Sequence, residues 1–99
     1  MLHMIIATHD PDMCPVGNPQ IRKKYLPRFQ QMEEMAKTAG LTIQGSWTDV
    51  PGHSIYIIVD APNAHVVSKL IVDAQLMEWN TLKVNPIISL NEAMTMANK

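Results

Sequence analysis

The stretch IYIIV at Ile55–Val59 is the most informative part of the sequence for the fold, because it is a continuous apolar run that follows a turn signal. β-Branched residues and tyrosine are typical of strands, and a run that is apolar at every position predicts a strand buried on both faces. The turn Asp49–His53 precedes it, and before that turn Leu41–Thr48 alternates apolar with small polar residues. We therefore predict a β-hairpin whose first strand has one exposed face.

The first half of the chain predicts a strand, an ordered loop and a long helix. His3–Thr8 is short and apolar, and His9–Pro19 holds three prolines and a glycine, which neither a helix nor a central strand tolerates. Asn18 is an N-cap residue with proline at the first helical position, and an apolar stripe then runs to a glycine at position 40. Because Pro27 lies inside this stripe, we expect it to kink the helix or split it in two.

The second half predicts a helix, a strand and a short terminal helix. Capping residues at Asp60–Asn63 precede the second apolar helical stripe. The last strand, Leu82–Ile88, contains Pro86, which suits the edge of a sheet. Ser89–Glu92 matches a capping box, so we expect a terminal helix through Met94.

The element order is thus β-α-β-β-α-β, which predicts one α+β domain of ferredoxin-like topology over residues 1–99. Its antiparallel four-stranded sheet has the spatial order fourth, first, third, second. The two central strands carry the continuous apolar runs Met4–Ala7 and Ile55–Val59, whereas two helices cover only one sheet face. We therefore expect the sheet of a second copy to cover the other face in a two-fold homodimer.

Composition excludes several classes of protein. The chain has 99 residues, a mass of 11.1 kDa and 46% hydrophobic residues, which suits one globular core and excludes a two-domain enzyme. Its net charge of −1 argues against nucleic acid as a partner, and no apolar run approaches the length of a membrane span. A single cysteine excludes an internal disulfide. We expect a soluble cytoplasmic protein without a membrane partner.

The predicted topology gathers potential metal ligands at one edge of the sheet. The loop after the first strand carries His9 and Cys14, and the hairpin turn carries His53. Two imidazoles and a thiolate suit zinc, copper or another late transition metal. Residues that could complete such a site are Asp10, Asp12, Met13 and Asp49. The alternative is structural: a strand-capping histidine, a cysteine packed as a small hydrophobe and a histidine that only occupies a turn.

The same edge suits acid–base catalysis on a small organic molecule. His9 or His53 would act as the base, with Asp10 or Asp49 orienting the imidazole. The aromatic residues expected to line a ligand pocket are Trp47, Tyr56 and Trp79, with Asp10 as a polar contact. Cys14, close to a helix N-terminus and to basic residues, is an alternative nucleophile with His9 as its activating base.

Four segments carry a resemblance to a known family: Gly45–Gly52, Ile57–Pro62, Trp79 and Asn85–Ile87. They resemble small proteins of unknown function that are grouped with the muconolactone isomerase-like dimeric α/β barrels. The resemblance implies a ferredoxin-like fold, two sheets paired into a barrel and a pocket beside each sheet. That superfamily contains isomerases, cofactor-free monooxygenases, haem-degrading enzymes and stress-response proteins, so the fold alone does not select an activity.

Three functions therefore stay open. The first is a homodimer that binds a small ligand or a metal ion at His9, Cys14 and His53. The second is an isomerase-like or monooxygenase-like enzyme with a histidine base. The third is a structural or regulatory dimer without catalysis.

Overall fold

The computed structural model describes residues 1–98, which form a ferredoxin-like α+β sandwich. The strands and helices are β1 (Leu2–Thr8), α1 (Pro19–Gln30), α2 (Met32–Ala39), β2 (Thr42–Asp49), β3 (Ser54–Asp60), α3 (Ala64–Asp73), β4 (Thr81–Ile87) and α4 (Leu90–Ala97). Two 3₁₀ turns, Pro11–Met13 and Leu76–Glu78, precede α1 and β4. The sheet is antiparallel with the order β2-β3-β1-β4, so the predicted topology is confirmed.

The core lies between the sheet and the helices, and strand register explains which residues enter it. Ile5 stands opposite Ile57 on one side and Val84 on the other, and side chains that face each other across a ladder share a sheet face. Ile5, Ile57 and Val59 are completely buried there, and Val67 and Leu70 of α3 pack against the same cluster. Burial of these aliphatic side chains stabilises the fold by about 1.5–3 kcal/mol each.

The long helix predicted before Gly40 is split in two, although the break does not lie at Pro27. Pro27 sits inside α1, and the break follows at Gln31, whose N–H donates to the carbonyls of Arg28 and Phe29 as the helix ends. The change of direction lets Met32 of α2 enter the core. The Asn18 cap is confirmed, since its side chain accepts hydrogen bonds from two backbone N–H groups of the first turn. Gly40 ends α2 in the left-handed conformation with φ +86°.

The opposite sheet face is apolar and is not part of the core. Met4, Ile6, Tyr56 and Ile58 alternate with the core residues of β1 and β3, so they point away from α1–α3. They are half-buried, as the continuous apolar runs predicted. We call this surface the open face. At the edge of this face the indole of Trp47 lies over Gly45, where a Cβ would collide with the ring.

The terminal helix α4 leaves the sandwich with an apolar surface that the described part of the chain does not bury. Ser89 caps it as predicted, accepting a hydrogen bond from the Glu92 N–H at 3.1 Å. Leu90 is 75% exposed, and Met94 and Met96 are also exposed. None of the helices in residues 1–98 has the length and apolarity required to cross a membrane.

Candidate metal centre

His9, Cys14 and His53 converge at one edge of the sheet, as the topology predicted. One potential ligand atom from each residue lies within 4.8 Å of the other two. His9 and Cys14 are buried, and His53 is half-buried. We call these three residues the His/Cys cluster. The other two histidines of the sequence lie elsewhere: His3 is near the start of β1 and His65 is exposed on α3.

The two histidines are held together by the sheet itself. The backbone N–H of His9 donates to the carbonyl of His53 at 3.1 Å, which extends the β1–β3 ladder beyond the ends of both strands. The two rings are 5.6 Å apart between centroids. His53 adopts a left-handed φ of +54°, because the turn after β2 closes tightly through the bond from the His53 N–H to the Val50 carbonyl. Sequence spacing alone gave no sign of this uncommon conformation.

Cys14 reaches the cluster from an ordered loop. The 3₁₀ turn before it is closed by the Met13 N–H, which donates to the Asp10 carbonyl at 2.9 Å. The Cys14 carbonyl then accepts from the N–H groups of Gly17 and Asn18, at 3.1 and 2.8 Å. These bonds fold the loop back onto the start of α1, and the thiol is left buried beside the imidazoles.

Asn80 fixes the chemical state of His9. The Asn80 amide donates through Nδ2 to the Leu76 carbonyl at 3.2 Å, so its Oδ1 is the atom that faces His9 Nδ1, at 2.9 Å. Because that oxygen only accepts, Nδ1 carries the proton, and Nε2 of the neutral ring has a free lone pair. Sequence reasoning missed Asn80. The available signal was its place directly before β4, which begins at the same sheet edge.

Two ring nitrogens of the cluster are chemically unsatisfied. His9 Nε2 and His53 Nδ1 are buried and have no hydrogen-bond partner among residues 1–98. A buried polar atom without a partner costs about 1–3 kcal/mol. The site therefore holds nitrogen lone pairs and a thiol that a metal ion would satisfy together.

The distances suit a metal ion after a small contraction. Tetrahedral zinc with two nitrogens and one sulfur places its ligand atoms about 3.3–3.7 Å from one another, so the 4.8 Å limit is about 1 Å wider. A cavity of about 100 Å³, lined by the whole His/Cys cluster together with Asp49, leaves room for a water or a small exogenous ligand. Three protein ligands and one open position are typical of catalytic rather than structural zinc sites.

The residues predicted to complete the coordination sphere have other positions. The Asp49 carboxylate accepts a hydrogen bond from the Gly52 N–H at 3.0 Å, which holds the hairpin turn. Asp10 and Met13 line a neighbouring pocket with His9, and Asp12 is exposed on the 3₁₀ turn. The cluster that the structure forms is therefore limited to the two imidazoles and the thiol.

An apolar cavity of about 250 Å³ lies beside the cluster, and we call it the ring cavity. The residues that line it are Pro15, Leu26, Phe29, Ser46, Trp47, Thr48, Ile55 and Trp79. The Trp79 ring lies 5.2 Å from the His9 ring and stacks on Tyr25 at 5.8 Å. Two of the three aromatic residues predicted to line a pocket thus border this cavity. Tyr56 instead lies on the open face.

Comparison with solved structures supports the fold. The chain is similar to SCO4226 from Streptomyces coelicolor A3(2), with a TM-score of 0.60 and 16% identity, covering 88% of this chain and 98% of that one. It is also similar to the 5-chloro-2-hydroxyhydroquinone dehydrochlorinase TftG from Burkholderia phenoliruptrix AC1100, with a TM-score of 0.64, 16% identity and coverage of 93% and 98%. Identities this low show a shared fold alone.

Comparison with curated proteins gave no match. A family model does match the whole sequence, residues 1–99, and its description is a domain of unknown function. The predicted likeness to a small family of unknown function is confirmed in this form, whereas membership of the muconolactone isomerase-like superfamily stays a prediction. The chain belongs to the DUF3303 family.

Proposed function

We propose that this protein binds a late transition metal ion, zinc or copper, through His9, Cys14 and His53. The observation that carries the proposal is the pair of buried, unpartnered ring nitrogens beside a buried thiol, within residues 1–98. A soft thiolate with two imidazoles is a donor set that both metals accept. A thiolate ligand also persists in a reducing compartment, which fits a cytoplasmic protein.

The orientation of His9 favours this function over a purely structural role. A structural histidine would be expected to satisfy both ring nitrogens, whereas His9 engages Asn80 through Nδ1 and leaves Nε2 facing the interior. Metal-binding histidines commonly donate their second nitrogen to an oxygen in this way, which raises the basicity of the ligating nitrogen.

Metal titration of the untagged protein tests the proposal. We expect one zinc ion per chain, and we expect cobalt(II) to give a thiolate charge-transfer band, because Cys14 would be a ligand. His9→Ala, Cys14→Ser and His53→Ala should each reduce zinc affinity at least tenfold. His65→Ala is the matched control, since His65 is exposed and distant from the cluster. Equal zinc affinity in all four variants would refute the proposed site.

We also propose that two copies pair through the open face. The half-buried residues Met4, Ile6, Tyr56 and Ile58 form an apolar centre that is continuous across β1 and β3, the two central strands. Pairing of this surface with its own copy is isologous, so one surface serves both partners. The two His/Cys clusters would then stay on the helix side of each sheet, because they share a face with the core.

Acid–base catalysis is the second candidate, favoured by the lone pair of His9 Nε2 beside an apolar cavity. The TftG structure, which has the same fold, is a complex with 2,5-dihydroxybenzoquinone, a single-ring molecule. The base and the metal ligand would be the same nitrogen, so zinc would inhibit such an enzyme. Turnover of hydroxyquinones by the zinc-stripped protein, lost in His9→Gln, would favour this candidate. Neither turnover nor thermal stabilisation by them would eliminate it.

A further inference from the structure

The ring cavity has the size and lining of a site for one uncharged ring. An apolar cavity of about 150 Å³ in a protein core is already large enough for benzene, and this one measures about 250 Å³. Its described lining residues include no charged side chain. Polar groups come from the hydroxyls of Ser46 and Thr48, and Trp79 Nε1 is buried without a partner among residues 1–98. The lining therefore favours a neutral ring that carries an oxygen and disfavours carboxylates or phosphates.

The ring cavity and the His/Cys cluster share a wall. Pro15, Thr48 and Ile55 line both the ring cavity and the smaller cavity around the cluster. Thr48 and Ile55 stand opposite each other in the β2–β3 ladder, so the sheet holds them in place. Pro15 instead lies on the loop, and it follows Cys14 directly.

Metal binding should therefore move Pro15. The cluster must contract by about 1 Å to reach tetrahedral distances. His9 and His53 are tied to each other by a ladder hydrogen bond, so the residue free to move is Cys14. Contraction of the small cavity draws Cys14 toward the imidazoles, and the covalently attached Pro15 follows and withdraws from the ring cavity.

We propose that the ring cavity binds an uncharged, single-ring organic molecule, and that a metal ion at the His/Cys cluster strengthens this binding through Pro15. This inference rests on the proposed metal-binding function. Because coupling between two sites is reciprocal, the ring ligand must tighten metal binding by the same factor. Couplings of this kind are typically about 5-fold to 150-fold.

Calorimetry with phenol as the probe tests the inference on the zinc-loaded and zinc-stripped protein. We expect phenol to bind the zinc-loaded form at least fivefold more tightly, and benzoate, the charged analogue of similar size, to bind at least tenfold more weakly than phenol. Leu26→Glu should weaken phenol at least tenfold and leave zinc affinity unchanged, because Leu26 lines only the ring cavity and is 37% exposed. Val72→Glu, at an exposed position on α3, is the control.

The outcomes separate this inference from the proposed function. Absence of zinc binding would overturn the metal site itself. Zinc binding without phenol binding to either form would refute the ring cavity as a site while the metal site stands. Phenol affinity that is equal in the two forms, or lower with zinc, would refute the linkage through Pro15.

Discussion

Asn80 shows how one side chain outside the cluster sets the chemistry within it. Its amide is held by the Leu76 carbonyl, and that contact decides which atom faces His9. The proton on His9 Nδ1 follows from this orientation, and so does the lone pair on Nε2. A ligating nitrogen with a fixed tautomer binds a metal without first having to move a proton or rotate its ring.

Removing that amide should weaken metal binding without removing a ligand. We expect Asn80→Ala to lower zinc affinity about 10-fold to 100-fold, the usual effect of losing such a partner. Asn80→Asp keeps an acceptor toward His9 and should retain most of the affinity. Competition against a zinc chelator gives both values, and Asn91→Ala on α4 is the exposed control. If Asn80→Ala bound zinc as tightly as the control variant, Asn80 would have no role in orienting His9.

The hairpin turn between β2 and β3 is the element that aims His53. A Cβ on Gly52 would collide with the Asp49 carboxylate, which accepts a hydrogen bond from the Gly52 N–H. Close approach of these groups requires glycine at this position. The turn leads directly into His53, so its geometry decides where that imidazole points.

A methyl group at position 52 should therefore affect both stability and metal binding. We expect Gly52→Ala to displace Asp49, to lower the free energy of unfolding by about 1 kcal/mol and to lower zinc affinity. Gly17→Ala is the matched control, because nothing lies within 4 Å of a Cβ there. Urea unfolding and zinc titration measure the two effects. Equal behaviour of the two variants would show that the turn does not position His53.

Sequence patterns predicted the elements well, because each pattern has a local physical cause. The Asn18 and Ser89 caps and the apolar central strands were all predictable from neighbouring residues. The helix break was predicted from Pro27 but lies at Gln31, where packing of α2 on the core also contributes. Local pattern cannot supply that tertiary term.

The site was predictable only as far as topology reaches. Strand order brings His9 and His53 to one edge, and the loop carries Cys14 there. The free ring nitrogens, the Asn80 contact and the positive φ of His53 depend on distances of a few ångströms. No spacing rule in a single sequence fixes such distances.

The molecule as a whole is thin, because it is a two-layer sandwich with one covered face. The smallest principal extent is 17 Å, whereas the longest, 53 Å, is far greater. Apolar residues on the uncovered side, and the exposed side chains of α4, leave surface that a partner copy would bury. Exposed apolar patches of this kind commonly mark protein–protein contacts.

A charge at the centre of the open face should separate the proposed dimer. We expect the wild-type protein to have twice the 11.1 kDa chain mass in light scattering, and Ile58→Lys to have the mass of one chain. The lysine would be desolvated in the dimer but hydrated in the monomer, because Ile58 points away from the core. Val72→Lys on α3 should leave the mass unchanged, and circular dichroism confirms folding of both. A wild-type mass of 11.1 kDa would refute the dimer.

The hydrogen bond from the His9 N–H to the His53 carbonyl also bears on how long an ion would stay bound. Two of the three ligands sit on one rung of the sheet, whereas the thiol belongs to a segment that can open while the sheet stays intact. Release would then begin with the sulfur, and a competing thiol would enter before either imidazole lets go. The residence time of the ion would follow the opening rate of residues 10–18, so the ion could pass to an acceptor without unfolding of the protein.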